Sequence, residues 1–115
     1  MKLNIYEYFG ENCMTQQNGK QLYGEIYPAL QAGEPVELDF TGVKRFLSVF
    51  FNFAIAPLLK DIDSETLDRL LTVSNLNPVG QEAFDRVMEN ALRYYSEPAY
   101  RQAVDQMVEE QSVCL

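Results

Sequence analysis

Between Val36 and Leu59 the chain reads VELDFTGVKRFLSVFFNFAIAPLL, and its hydrophobic period changes partway along. Val36-Glu37-Leu38-Asp39-Phe40 alternates apolar and acidic residues. A period of two suits a strand with one face on a core. Thr41-Gly42 breaks the alternation, and from Phe50 to Leu59 no residue carries a formal charge. A membrane span needs about 20 apolar residues, so this run is too short to be one. It fits a buried core helix, or a helix whose tip meets a partner. Strand, short polar loop and apolar helix therefore form one unit, and the rest of the chain has to cover it.

The flanking segments supply that cover. Leu3 to Phe9 alternates and reads as a strand that places Leu3 and Ile5 on one face and stops at Gly10. A helix is expected from Gln16 to Ala32, with Thr15 as N-cap and Gly33 as its stop. Leu22, Ile26 and Leu30 form its stripe, widened by Tyr23 and Tyr27. Gly19, Gly24 and Pro28 weaken it and predict a kink near Pro28 or an irregular first turn. The apolar helix is expected over Val49–Lys60, bent at Pro57, followed by a short helix over Ser64–Leu70 and a third strand over Leu71–Leu76. Asn77-Pro78 is an N-cap followed by proline at the first helical position, and opens a helix to about Tyr95. Phe84, Val87, Met88, Ala91, Leu92 and Tyr95 give the clearest helical periodicity in the chain. Pro98 starts a last helix with the stripe Tyr100, Ala103, Val104, Met107 and Val108, and Gln111 to Leu115 forms a frayed tail. Strands alternating with helices over 115 residues predict one α/β domain, with helices covering a small sheet.

Composition narrows the chemistry. The formal net charge is −8 and no cluster of Lys or Arg occurs, which argues against nucleic acid or an anionic membrane as the main partner. Histidine is absent, which removes Ser-His and Cys-His nucleophile pairs and the commonest metal ligand. Cys13 and Cys114 have no CxxC spacing, and with no apolar targeting run after Met1 they read as free thiols in a reducing cytoplasm. Gly10, Gly19 and Gly24 match neither a Walker A loop nor a dinucleotide fingerprint. Asp61, Asp63 and Glu65 lack the glycine and distal glutamate of an EF-hand and read as a solvated acidic turn. The expectation is a cytoplasmic protein without a cofactor or metal, and not an enzyme.

Several pieces, in order and spacing, resemble one family. They are Asn18-Gly19, the run Leu30-Gln31-Ala32-Gly33-Glu34-Pro35-Val36-Glu37-Leu38-Asp39-Phe40-Thr41-Gly42-Val43, then Phe50-Phe51-Asn52 with Ala54-Ile55-Ala56, Ser74-Asn75-Leu76, and Ala91-Leu92-Arg93-Tyr94-Tyr95. The pattern is similar to the STAS-like family of unknown function, related to bacterial anti-sigma-factor antagonists, and extends over about residues 1–95. The resemblance implies a single STAS-like domain over 1–115: a small mixed sheet of about four strands flanked by helices, with 98–115 as an additional C-terminal helix and tail. It also implies a regulatory, protein-binding role in a bacterial cytoplasm, with a histidine-kinase-like ATPase as partner. In the antagonists a serine at the start of the helix after the second of these strands is phosphorylated. The aligned position here is Val49, which cannot accept phosphate, and its neighbour Ser48 is the remaining candidate.

A helix N-terminus leaves about four amide N–H groups unpaired, so a serine there can cap the helix or carry phosphate. Phosphate would add a charge of about −1.5 to −2 beside any apolar contact and disrupt it. Phe46, Phe50, Phe51 and Phe53 point in different directions on a helix, so at least one is expected outside the core, against a protein partner or a second copy of the chain. The expected partner surface is Thr41, Lys44, Arg45, Phe46, Ser48, Val49, Phe50, Phe51 and Phe53, with a homodimer through the same phenylalanines as the alternative. Asp39, at a strand end, stands where α/β proteins place functional groups. Tyr94, Tyr95 and Tyr100 gather at the last helix break, as packing residues or as a second contact surface.

Overall fold

The structure, a computed structural model, describes residues 1–96. The expected last helix with its stripe from Tyr100 to Val108, and Cys114, lie outside the described residues. The order of elements is β1 (Lys2–Asn4), α1 (Ile5–Phe9), β2 (Asn12–Cys13), α2 (Gln16–Gln31), β3 (Val36–Asp39), β4 (Arg45–Phe46), α3 (Ser48–Ala54), α4 (Leu58–Asp61), α5 (Ser64–Leu70), β5 (Leu71–Ser74) and α6 (Pro78–Ser96).

The strands do not form one mixed sheet of four. Among the described residues there is a three-stranded sheet in the order β1-β3-β5 and a separate pair β2-β4, and every pairing is parallel. Parallel pairing follows from the helical crossovers that join these strands. The register aligns Leu3 with Leu38 and Leu38 with Val73, so the alternation read from the sequence places these apolar side chains on one face. Val36 and Leu38 are buried there. On the other face Lys2 Nζ reaches Glu37 at 3.7 Å and Asp39 at 3.9 Å, and Ser74 Oγ donates to Glu37 at 3.2 Å.

Three local readings change, at β1, at the apolar helix and at β5. The first strand ends at Asn4, because its neighbour β3 offers partners only as far as Asp39, and Ile5–Phe9 coils into α1 instead. Ile5 stays buried, so the inward face was read correctly although the element was not. α2 runs continuously through Pro28. Proline deprives the carbonyl of residue 24 of its helical donor. Gly24 and Pro28 both lie on the exposed side of α2, where water can satisfy that carbonyl. The apolar helix is split: α3 ends at Ala54, and Pro57 becomes the N-cap position of α4 instead of an internal bend. β5 stops at Ser74, because Asn75 takes a left-handed conformation with φ 61.

Other expectations hold. Thr15 caps α2, its hydroxyl accepting from Asn18 N at 3.0 Å, and Asn77 caps α6, its Oδ1 accepting from Gly80 N at 2.8 Å. Gly19, read as a weakness of α2, is a packing site. A Cβ built there would stand 2.5 Å from Phe50 O, so the bare backbone allows α2 and α3 to approach.

Candidate functional site

The polar loop and apolar helix of the opening stretch lie where β3, β4, α3 and the start of α6 converge. Asp39, the last residue of β3, organises the turn. Its Oδ1 accepts from Thr41 Oγ1 at 2.6 Å, from Thr41 N at 2.9 Å and from Asn75 Nδ2 at 2.9 Å. These bonds, the Thr41 hydroxyl first, together with the Lys2 ammonium, hold the carboxyl well below its ordinary range, at about 2. Gly42 continues the turn at φ 89, with the Tyr6 ring over it: a Cβ there would lie 3.1 Å from Tyr6 Cδ2.

From Gly42 the chain is pinned on both sides. Lys44 N and Arg45 N donate to Glu11 O at 2.8 and 3.0 Å, and Asn77 Nδ2 donates to Lys44 O at 2.9 Å. The side chains of Lys44 and Arg45 share one carboxylate, Glu11, at 3.5 and 3.9 Å. Such exposed pairs contribute roughly 0–1 kcal/mol, so the backbone bonds place this loop and the ion pairs decorate it. β4 then pairs Phe46 with Cys13, and Leu47 N donates to Cys13 O at 3.1 Å. Cys13 is fully buried, and burial pushes its thiol up to about 12.

The expected surface residues divide into two groups. Phe46, Phe50 and Phe51 belong to the core: Phe46 stacks on Phe51 at 5.8 Å, Phe50 meets Phe51 edge-on at 5.3 Å, and Phe51 meets Phe84 at 5.5 Å. Phe50 and Phe51 are 0% exposed, which corrects their assignment to an outward face. A seven-residue helix wedged between α2 and α6 buries two sides, so both rings find neighbours within the chain. Phe53 is half-buried, with the Lys20 ammonium 5.4 Å from its ring centroid. Thr41, Lys44 and Arg45 are exposed, and Ser48 and Val49 are intermediate.

Two apolar residues at this surface were not singled out from the sequence. Leu47 is 47% exposed and Val79 is 59% exposed. Val79 adjoins Gly80, whose backbone lies so close to the Phe46 ring that a Cβ would stand 2.7 Å from Cε2. Leu47 was legible in principle. Arg45, Phe46 and Leu47 are all extended, so side chains alternate, and an inward Phe46 sends Leu47 out. Leu47, not Ser48, is also the N-cap position of α3. Its side chain makes no capping bond, so Ser48 stands one place too late for the capping role expected of it.

The other candidates are placed as follows. Asp61 accepts from the Tyr27 hydroxyl at 3.1 Å, which raises the Tyr27 pKa, and Asp63 caps α5 through Glu65 N at 3.2 Å. Tyr94 and Tyr95 meet edge-on at 4.7 Å, both half-buried, while Tyr100 lies outside the described residues. Among the described residues no helix is long and apolar enough to cross a membrane.

Parallel strands with helical crossovers, and a pinned loop leading from the second sheet strand into an apolar helix, define a small α/β domain. Residues 18–81, more than half of the chain, match the family model of the STAS-like domain of unknown function (DUF4325), and the chain belongs to that family. Searches among curated proteins and among solved structures return no match.

Proposed function

We propose that this domain is a non-enzymatic regulatory module that binds another protein through the loop 41–47 and the start of α3. The observation that carries this reading is Leu47. An apolar side chain is held 47% exposed on a backbone fixed by hydrogen bonds to Glu11 and Cys13, directly after the exposed cations Lys44 and Arg45 in the same loop. A rigid apolar anchor with a polar rim is the composition of an interaction hot spot. The resemblance to anti-sigma-factor antagonists favours a histidine-kinase-like ATPase as partner, which is an argument from fold-level association. The contact residues in this reading are Thr41, Lys44, Arg45, Leu47, Ser48, Val49 and Phe53, with Val79 at the margin. Phe46, Phe50 and Phe51 support them from the core. Ser48, with no capping duty, is the hydroxyl that a kinase would reach at this surface.

The test is affinity capture from the organism that encodes the chain, with wild type and Leu47→Asp run side by side. An ATPase or regulator retained by wild type and lost by the variant supports the proposal. Equal retention by both sinks it. Light scattering on the same samples separates the alternative: a wild-type dimer that Leu47→Asp dissociates would assign the surface to a second copy. Phosphopeptide mass spectrometry after incubation with a recovered ATPase reads Ser48 directly.

A further inference from the structure

The three-stranded sheet ends at β5, and among the described residues no strand pairs beyond it. Phe40 N donates to Ser74 O at 3.0 Å, which fixes the ladder. In a parallel pair, alternate residues turn both backbone groups to the same neighbour. Thr72 and Ser74 therefore face β3, while Val73 turns its N–H and C=O outward. Beside that edge, on the core face of the sheet, lies a cleft of about 260 Å³. Leu67, Leu71 and Val73 form one wall, and Phe84 and Met88 of α6 form the other. We propose that β5 accepts an extended segment of another protein as a further strand, with an apolar side chain of that segment seated in the cleft and lysine or arginine beside it.

Three observations select this occupant. First, outward backbone donors and acceptors match another extended backbone. In strand addition the main-chain bonds give affinity, and pockets for alternate side chains give specificity. Val73 combines the two, its backbone at the edge and its side chain in the cleft wall. The opposite edge, β1, carries Lys2, and lysine on an edge discourages further pairing, whereas Leu71–Ser74 contains neither Lys nor Pro. Second, the cleft is smaller than the roughly 300–1,000 Å³ of small-molecule sites, and suits one or two side chains. Third, the charges favour a cation. Among the described residues Asp68 is the one charged residue lining the cleft, and Asp85 and Glu89 stand exposed on the neighbouring surface of α6. With a net charge of −8, a second copy of the chain is repelled and a basic segment is drawn in.

The probe is a fluorescein-labelled peptide, TKLKVKT, whose leucine and valine share one face of a strand while its lysines take the other. Its anisotropy is expected to rise saturably with the full-length chain below roughly 1 mM. The peptide TKNKNKT keeps the charge and loses the apolar face, and should bind at least ten-fold more weakly. Val73→Pro deletes the outward N–H and leaves the bonds to β3 in place, as proline on an edge strand can. It should weaken TKLKVKT binding at least ten-fold with an unchanged far-UV circular dichroism spectrum. Met88→Asp removes an apolar wall without touching the sheet, and decides the matter if the proline variant does not fold. It too should weaken binding at least ten-fold, whereas a contact made by charge alone would strengthen. No saturable rise by roughly 1 mM, equal binding of the two peptides, or a folded variant of either kind that binds like wild type overturns the proposal. A wild-type dimer that Val73→Pro dissociates, seen by light scattering without peptide, also overturns it and assigns the edge to a second copy.

Discussion

Replacing Phe51 by alanine separates a core ring from a binding ring. Phe51 is 0% exposed and lies within 6.1 Å, centroid to centroid, of Phe40, Phe46, Phe50 and Phe84. Burying a phenylalanine removes about 150–250 Å² from water, and at about 25 cal/mol per Å² this amounts to about 4–6 kcal/mol. Truncations of this kind cost about 3–5 kcal/mol in measured series. Phe51→Ala is therefore expected to destabilise the fold by about 4 kcal/mol. Total stability for a domain of this size is about 5–15 kcal/mol, so the variant loses about a quarter or more of it. Urea unfolding followed by circular dichroism should show a much lower midpoint with an unchanged slope. Leu47→Ala, read in the same assay, should stay within about 0.5 kcal/mol of wild type, as surface substitutions do. A Phe51→Ala protein within about 1 kcal/mol of wild type would refute the placement of this ring and return it to the candidate surface.

Other outcomes can be checked in the same purified chain. Gly19→Ala forces a Cβ to 2.5 Å from Phe50 O and should destabilise by about 1–3 kcal/mol, whereas Gly24→Ala, with nothing within 4 Å, should stabilise by about 0.5–1 kcal/mol; thermal melts of both variants read the contrast. The Asp39 carboxyl titrates at about 2 in the folded chain, below its ordinary 3.8, so its stabilising effect is fully present above that ordinary value and fades as pH falls toward 2. Urea midpoints of wild type and Asp39→Asn should accordingly differ at pH 6 and converge near pH 2, and a difference that is constant with pH would contradict this. Cys13, buried and raised to about 12, should leave a thiol reagent unreacted at pH 8 in a Cys114→Ser chain until urea is added; reaction within minutes in buffer would refute its burial.

Much of the fold could be read from local pattern because local chemistry decided it. Asn77-Pro78 and Thr15 specify helix starts by satisfying amide N–H groups, which needs no tertiary information. Val36, Leu38 and Asp39 declared their faces by alternation. The failures involve partners distant in sequence. Whether Ile5–Phe9 extends or coils depends on how far β3 runs beside it, and β3 lies more than thirty residues on. Gly19 reads as a helix defect until α3 is seen against it. The same limit applied to three of the four phenylalanines read as a surface: Phe46, Phe50 and Phe51 are core residues, while Phe53 is half-buried. The count of available walls settles this, since α3 has α2 on one side and α6 on another, and neither contact is visible in a window of ten residues.

That arrangement also discriminates between the two hydroxyls of the loop. Thr41 Oγ1 donates to Asp39 Oδ1 at 2.6 Å, so its lone proton is engaged by a carboxylate that stays ionised down to about pH 2. Phosphate on Thr41 would break that bond and set two anions side by side, which electrostatics disfavours. Ser48 meets neither obstacle. It opens α3 and follows the exposed Leu47 directly. A charge added there would lie beside the apolar anchor of the surface and leave the Phe46–Phe50–Phe51 core intact. If the surface is switched by phosphate at all, the chemistry assigns the switch to Ser48, and a phosphate found on Thr41 in place of Ser48 would overturn this reasoning.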